Sequence, residues 1–247
     1  MRFFSLLERA GRLLEWRALR LGAGVCPLCD FRLMARLGFS EHAVRCLRCG
    51  ANPAAMALVD VLRKQVPDIG ACTIYELSSR GPLFRFLRSK AGELVFSEYF
   101  DDVPPGAMKD GVRCQDVQDL AFADCSFDLC TSTDVFEHVP DDSKAFSEVH
   151  RVLRPGGLTV FTVPLLRRDE TIERALPGRD GVEHLLPEEY HDDHIRGAGQ
   201  VLCFRNYGAD IVTRLTDQGF SHAEIVWPDI SRWWGCGRPV VVARKAL

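Results

Sequence analysis

No apolar run in the 247 residues approaches the roughly 20 that a membrane span requires. Charge of one sign is not in excess either. Thirty-one Lys and Arg against 34 Asp and Glu leave a formal net charge of -3, so no whole-molecule attraction to nucleic acid is expected. Internal repeats and low-complexity tracts are missing as well. A secretory leader would need an unbroken apolar stretch, and Glu8, Arg9, Arg12 and Glu15 interrupt any such stretch at the start. With no export signal, the ten cysteines are expected to lie in a reducing cytoplasm as one metal site and otherwise free thiols.

What is present begins with an amphipathic segment. Over residues 1–22, Phe3, Leu6, Leu7, Leu13, Leu14 and Trp16 broadly follow helical spacing, with Arg2, Arg9, Arg12, Arg17 and Arg20 on a basic face. The segment reads as a helix docked on its own protein, or as one in peripheral contact with a membrane surface or partner. Cys26-Pro-Leu-Cys29 and, sixteen residues on, Cys46-Leu-Arg-Cys49 fit the two-knuckle zinc pattern. Four thiolates close a tetrahedron and leave no position for water, so the zinc expected over residues 23–51 is structural. Gly50 offers the left-handed backbone that such a knuckle uses. A short hairpin fits between the pairs.

Residues 52–247 read as one α/β domain. Asn52-Pro53 opens a helix to about Gln65. Strands follow at Cys72–Leu77, Leu94–Ser97, Val112–Gln115, Phe127–Thr131 and Leu158–Val163. Helices are expected at Pro82–Lys90 and from Asp141 to Leu153, the latter stopped by Arg154-Pro-Gly-Gly157. The chain closes with a helix at Tyr207–Gln218 and strands at Ala223–Trp227 and Pro239–Arg244. Alternation of this kind implies a mostly parallel sheet covered on both faces. The stretch 165–205 has no clear periodicity, and a loop of that length usually serves function.

In such sheets, ligands bind beyond the carboxyl ends of the strands. Glu76, Ser78, Ser79, Arg80 and Gly81 follow the first strand, Glu98 the second, Asp116 the third, and Ser132, Thr133 and Asp134 the fourth. A carboxylate after the second strand suits the two hydroxyls of a ribose, and one after the third suits an exocyclic amine. Together they read as a nucleoside pocket.

The run from Ser126 to His138, with Ala145 to Gly157, resembles the central stretch of class I methyltransferases of the type 11 group. The resemblance spans about Asp60 to Val163. It implies a Rossmann-like seven-stranded sheet, with helices on both faces and an antiparallel seventh strand, plus methyl transfer from S-adenosylmethionine. It places Glu76 and the Ser78–Gly81 turn at the methionine end of the cofactor, Glu98 on the ribose, Asp116 and Val117 on the adenine, and Ser132 near the sulfonium. The first turn departs from the usual acid-x-Gly-x-Gly, because Ser78 and Arg80 stand at the glycine positions.

The insert carries Tyr190-His-Asp-Asp-His194, which resembles a segment of zinc-bearing methyltransferases linked to glycans or other small acceptors. His191 is the first candidate for general base and His194 the second, with Asp193 as the neighbouring carboxylate. A divalent ion held by this cluster and a plain solvated loop are the other readings. His138 and His150 read as packing or supporting residues, and Glu137 as support for its turn. Trp233 and Trp234 read as an acceptor platform, as core packing or as a partner contact. Three functions compete. The first is transfer to a small-molecule acceptor such as a saccharide or biosynthetic intermediate. The second is rRNA or tRNA methylation, with Arg32, Arg36, Arg45 and Arg48 on phosphates. The third is a non-catalytic scaffold.

Overall fold

The computed structural model describes residues 15, 17–40, 43–179, 181–193, 199–233 and 237–247. These form two compact units. The first comprises the described residues within 1–67, with 80–87 and those within 227–238; the second comprises 68–79, those within 88–226, and 239–247.

In the first unit, β1 (Arg20–Ala23), β2 (Leu33–Arg36) and β3 (Val44–Cys46) make an antiparallel three-stranded sheet. The expected helix over 1–22 is corrected at its end, since Arg20 and Leu21 pair as a strand with Arg36 and Ala35. An extended segment there gives its backbone groups partners on β2, which an isolated helical turn would not. Residues 1–14 and Trp16 of that expectation lie outside the described residues. Helix α1 (Pro53–Gln65) begins as its sequence dictates: Asn52 Oδ1 accepts from Ala55 N at 2.9 Å, and Pro53 sits in the first turn, where its missing N–H costs nothing. Every residue from Pro53 to Leu62 is buried. Asp60 can be among them because Lys64 lies 2.7 Å away and Arg232 3.5 Å away.

In the second unit, β4 (Thr73–Glu76) precedes α2 (Gly81–Lys90), whose first seven residues group with the other unit, and β5 (Glu93–Phe96) follows. Next comes a hairpin of β6 (Met108–Lys109) and β7 (Val112–Arg113), then β8 (Phe127–Thr133), α3 (Asp142–Val152) and β9 (Leu153–Thr162). Asp141 caps α3, accepting from Lys144 N at 3.1 Å. Segment 165–208 holds paired ribbons in place of an irregular loop. They are β10 (Ile172–Glu173) with β15 (Arg205–Asn206), β11 (Ala175–Gly178) with β12 (Gly181–His184), and β13 (Tyr190–Asp192) with β14 (Gln200–Leu202). Helix α4 (Ile211–Asp217) leads to β16 (His222–Val226) and β17 (Val240–Arg244).

The main sheet runs β16-β17-β9-β8-β4-β5, with the last four parallel and β17 antiparallel to both of its neighbours. The antiparallel last strand is as expected, with one correction: among the described residues six strands form the sheet, not seven. The expected third strand, Val112–Gln115, reaches the edge only through a single parallel bridge between Cys114 and Glu98. Asp110 and Gly111 both take positive φ (51° and 78°), a two-residue hairpin turn that pairs Val112 and Arg113 with Lys109 and Met108 instead. Leu153 directly continues α3 into β9, and a register shift opposite Asp128 absorbs Arg154-Pro-Gly-Gly157. An apolar core of Phe136, Phe146, Val149, Phe161, Ile211 and Leu215 joins α3 and α4 to the sheet.

Candidate active site and cysteine cluster

A cavity of about 460 Å³ opens at the carboxyl ends of β4, β5 and β8. Its wall takes Leu77 and Ser78 from beyond β4, Ser97 and Glu98 from beyond β5, and Gln115 to Gln118 after the bridge. Thr133, Asp134 and His138 come from the β8 side, and Asp192, Asp193, Val201 and Leu202 from the ribbons. Of the expected cofactor residues, Ser78, Glu98, Asp116 and Val117 line this wall, and Glu76 and Ser132 lie outside it. Gly81 opens α2 at φ +88° and belongs to the first unit.

Glu98 is buried, and its Oε1 accepts from Ser79 N at 2.6 Å, Ser79 Oγ at 2.8 Å and Ser78 Oγ at 3.1 Å. Those donors offset the desolvation of the carboxylate. Asp116 accepts from Gln118 N at 2.9 Å and from its side-chain amide at 3.0 Å, while Gln118 Oε1 accepts from Asp141 N. Two further wall groups, Gln115 Nε2 and Thr133 Oγ1, are buried without a hydrogen-bond partner among the described residues. Such groups are costly unless a ligand satisfies them. Asp134 takes a left-handed backbone (φ 53°) at the β8 tip and accepts from Thr162 Oγ1 at 3.0 Å.

Glu76 is fully buried, with the Thr131 hydroxyl donating to its Oε2. Burial raises its carboxyl to about 8, the Thr131 bond opposing and the Glu98 charge adding to the rise. Ser132 is equally buried, its hydroxyl unpartnered.

The histidines are arranged differently from their expected ranking. His138, read as packing, stands in the cavity wall. Its Nδ1 lies 2.8 Å from Leu202 O, which only accepts, so this nitrogen carries the proton. His191 sits on β13 behind it, with Nδ1 3.2 Å from His138 Nε2 and Nε2 3.2 Å from Glu189 Oε1. Buried Glu137 places Oε1 3.7 Å from His138 Nε2 and 3.9 Å from His191 Nδ1. Asp193 lines the cavity near its partner ribbon, its N donating to Gly199 O at 3.0 Å. His194 and Trp234 lie outside the described residues. Trp233 is buried in the first unit. His150 stands apart, packed edge-on against Phe220.

Sequence reasoning gave Arg205 no role. It is 2% exposed, and its guanidinium donates to Val139 O and, at 2.8 Å, to Pro140 O, while Glu173 lies 3.1 Å away. It thereby fastens β15 to the turn that carries Glu137 and His138. No motif marks it, since a lone Arg in a polar stretch reads as solvated.

In the first unit, the four Sγ atoms of Cys26, Cys29, Cys46 and Cys49 all lie within 4.8 Å of one another. Cys26–Cys49 and Cys29–Cys46 are 3.6 Å apart. The two knuckles repeat one geometry. Asp30 N donates to Cys26 O and Gly50 N to Cys46 O, both at 2.9 Å, with Asp30 (φ 59°) and Gly50 (φ 72°) left-handed. Gly50 was the legible half of this pair; Asp30 is its counterpart, a residue type that tolerates that backbone.

Among the described residues, no helix is long and apolar enough to cross a membrane. Comparison with known proteins adds a resemblance. Residues 83–161 match the methyltransferase domain. A ubiquinone biosynthesis O-methyltransferase of Xanthomonas axonopodis pv. citri is 32% identical over 124 residues, 49% of this chain and 51% of that protein. An uncharacterized methyltransferase of Mycobacterium sp. (strain KMS) is 54% identical over 43 residues, 17% of each chain. The chain thus spans about half the length, or less, of these curated relatives. Among solved structures, an S-adenosylmethionine dependent methyltransferase from Mesorhizobium loti aligns with a TM-score of 0.49 at 21% identity, covering 76% of this chain and 98% of that one. Over residues 83–161 the chain is thus similar to the methyltransferase domain.

Proposed function

We propose that the second unit transfers a methyl group from S-adenosylmethionine to a small-molecule acceptor. The observation that carries this reading is the wall of the 460 Å³ cavity, where Glu98 and the Asp116–Gln118 turn stand side by side at the strand ends of a methyltransferase domain. The residues fit such a cofactor. Glu98 would hold the ribose and Asp116, with the apolar side of Val117, the adenine. Gln115 Nε2 and the Thr133 hydroxyl would supply further polar contacts. When bound, the cofactor supplies an electrophilic methyl group on a sulfonium. The chain's own residues would align the acceptor in line with that carbon and take its proton. The histidine pair is suited to the proton. His138 lines the cavity, its Nε2 would take the proton, and His191, 3.2 Å from that nitrogen and backed by Glu189, would orient the ring. The Xanthomonas relative, an O-methyltransferase of ubiquinone biosynthesis, supports a biosynthetic intermediate as that acceptor.

For the first unit the proposal is one structural zinc. The 3.6 Å sulfur spacings lie close to the edge of about 3.8 Å in a tetrahedron with Zn–S near 2.3 Å. Burial pushes the Cys26 thiol far up and Cys49 up to about 11, so protons occupy these sulfurs unless a cation replaces them.

The cofactor reading is tested by thermal melting with S-adenosylhomocysteine. At about 100 times Kd the stabilisation should be about 2.7 kcal/mol. No shift at millimolar ligand would refute the reading. His191→Ala should preserve this shift yet lower turnover by about 100-fold; full turnover in that variant would remove His191 from the chemistry.

A further inference from the structure

The first turn of the sheet unit carries serine where a methyltransferase turn is expected to carry glycine, and the structure shows what the hydroxyl does. Ser78 Oγ, Ser79 Oγ and Ser79 N all converge on one oxygen, Oε1 of Glu98, at 3.1, 2.8 and 2.6 Å. The two segments are twenty residues apart in sequence and meet across neighbouring parallel strands, β4 and β5. Glu98 is 5% exposed and stands in the cavity wall. A glycine at position 78 would remove the Ser78 hydroxyl from that oxygen.

We infer that Ser78 and Ser79 are positioning residues, a hydroxyl clasp that fixes the Glu98 carboxylate for a ribose diol by engaging its Oε1. This rests on the proposal that Glu98 holds the cofactor ribose. Glycine's absence is then a gain in preorganisation and not a decay of the site. A carboxylate held by three donors loses little rotamer freedom when a ribose arrives, so more of its hydrogen bonding appears as affinity.

The clasp and the decay reading make opposite predictions for one substitution. Ser78→Gly restores the usual turn residue. If the serine merely crowds the cofactor, affinity for S-adenosylhomocysteine rises; under the clasp it falls. Calorimetric titration of the full chain should show Ser79→Ala binding about tenfold more weakly, the size of one hydrogen bond to a charged group, and Ser78→Gly a few-fold more weakly. Ser79→Thr, which keeps the hydroxyl, should restore most of the affinity. An S-adenosylhomocysteine analogue lacking both ribose hydroxyls should bind wild type and Ser79→Ala equally, a result that general damage to the fold would not give. Equal or tighter binding of S-adenosylhomocysteine by Ser78→Gly and Ser79→Ala, with wild type binding well, overturns the clasp and leaves the cofactor reading standing. No binding by wild type overturns both.

Discussion

Glu76 and Glu98 emerge from adjacent strands, yet they are solvated by the protein in different ways. Three donors converge on Glu98, whereas Glu76 has the single Thr131 hydroxyl and complete burial. Burial, opposed by that one bond, raises Glu76 to about 8 from an ordinary value of 4.5. The folded state therefore keeps its proton between those two values while the unfolded chain gives it up. Through this group stability falls as pH rises from about 4.5 to about 8, and is flat beyond. Glu76→Gln keeps an acceptor for Thr131 and removes the titration. Its stability relative to wild type should climb across that window, by on the order of 4 kcal/mol in total. Urea unfolding at pH 5 and pH 8 measures it; a constant difference between the two chains would show that Glu76 is ionised in the fold. At this scale the sequence revealed which acids follow strands, because strand periodicity fixes that. It did not reveal which of them point inward. That depends on register against β5 and β8, and it is why Glu98 reaches the cavity wall and Glu76 does not.

The elements were legible wherever local chemistry decides them. Asn52-Pro53 and Asp141 start helices at their caps, and paired C-x2-C knuckles bring four sulfurs together. What escaped was pairing between short segments. The Asp110-Gly111 turn takes Val112 and Arg113 into a hairpin and reduces the third strand to one bridge. The ribbons of 172–206 have almost no apolar alternation, since most of β11 and β12 is exposed. Their anchorage is polar: Arg205 and Arg214 share Asp142 and Glu173, and Tyr207 donates to Asp142 at 3.0 Å. Removing one member of such a buried network strands the others. Arg205→Ala should cost about 3–5 kcal/mol and loosen the turn bearing His138, lowering the melting temperature and the acceptor-dependent rate together. A cost under 1 kcal/mol would mean that the ribbons hold themselves. The knuckles have their own test. Metal analysis of purified protein should find about one zinc per chain, lost in Cys29→Ser with Cys46→Ser. A folded first unit without metal, in wild type treated with chelator, would contradict a structural role.

For the whole molecule, the question that net charge and cavity size bear on is which acceptor is methylated. A chain of net charge -3 gains little from a polyanion except at a local basic patch, and Arg32, Arg36, Arg45 and Arg48 in the knuckle unit are the residues for one. A cavity of about 460 Å³ that must also hold the cofactor, and whose wall includes Asp134, Asp192 and Asp193, accepts a small neutral or cationic molecule more readily than a phosphate-bearing strand. The two readings separate in one experiment. Labelled methyl donor is incubated with the protein and a cell extract, and the extract is then fractionated into RNA, protein and small molecules. Label in the small-molecule fraction, undiminished between 50 and 200 mM salt, is the expected result. Binding through four arginine–phosphate contacts would weaken roughly a hundredfold over that salt range. Label in RNA that vanishes on raising the salt, and on changing Arg32 and Arg48 to Ala, would move the acceptor to nucleic acid and give the knuckle unit the task of holding it. Label in the small-molecule fraction that survives those two changes would instead leave the cysteine module as a structural element. Specificity would then lie with the ribbons and the cavity they line.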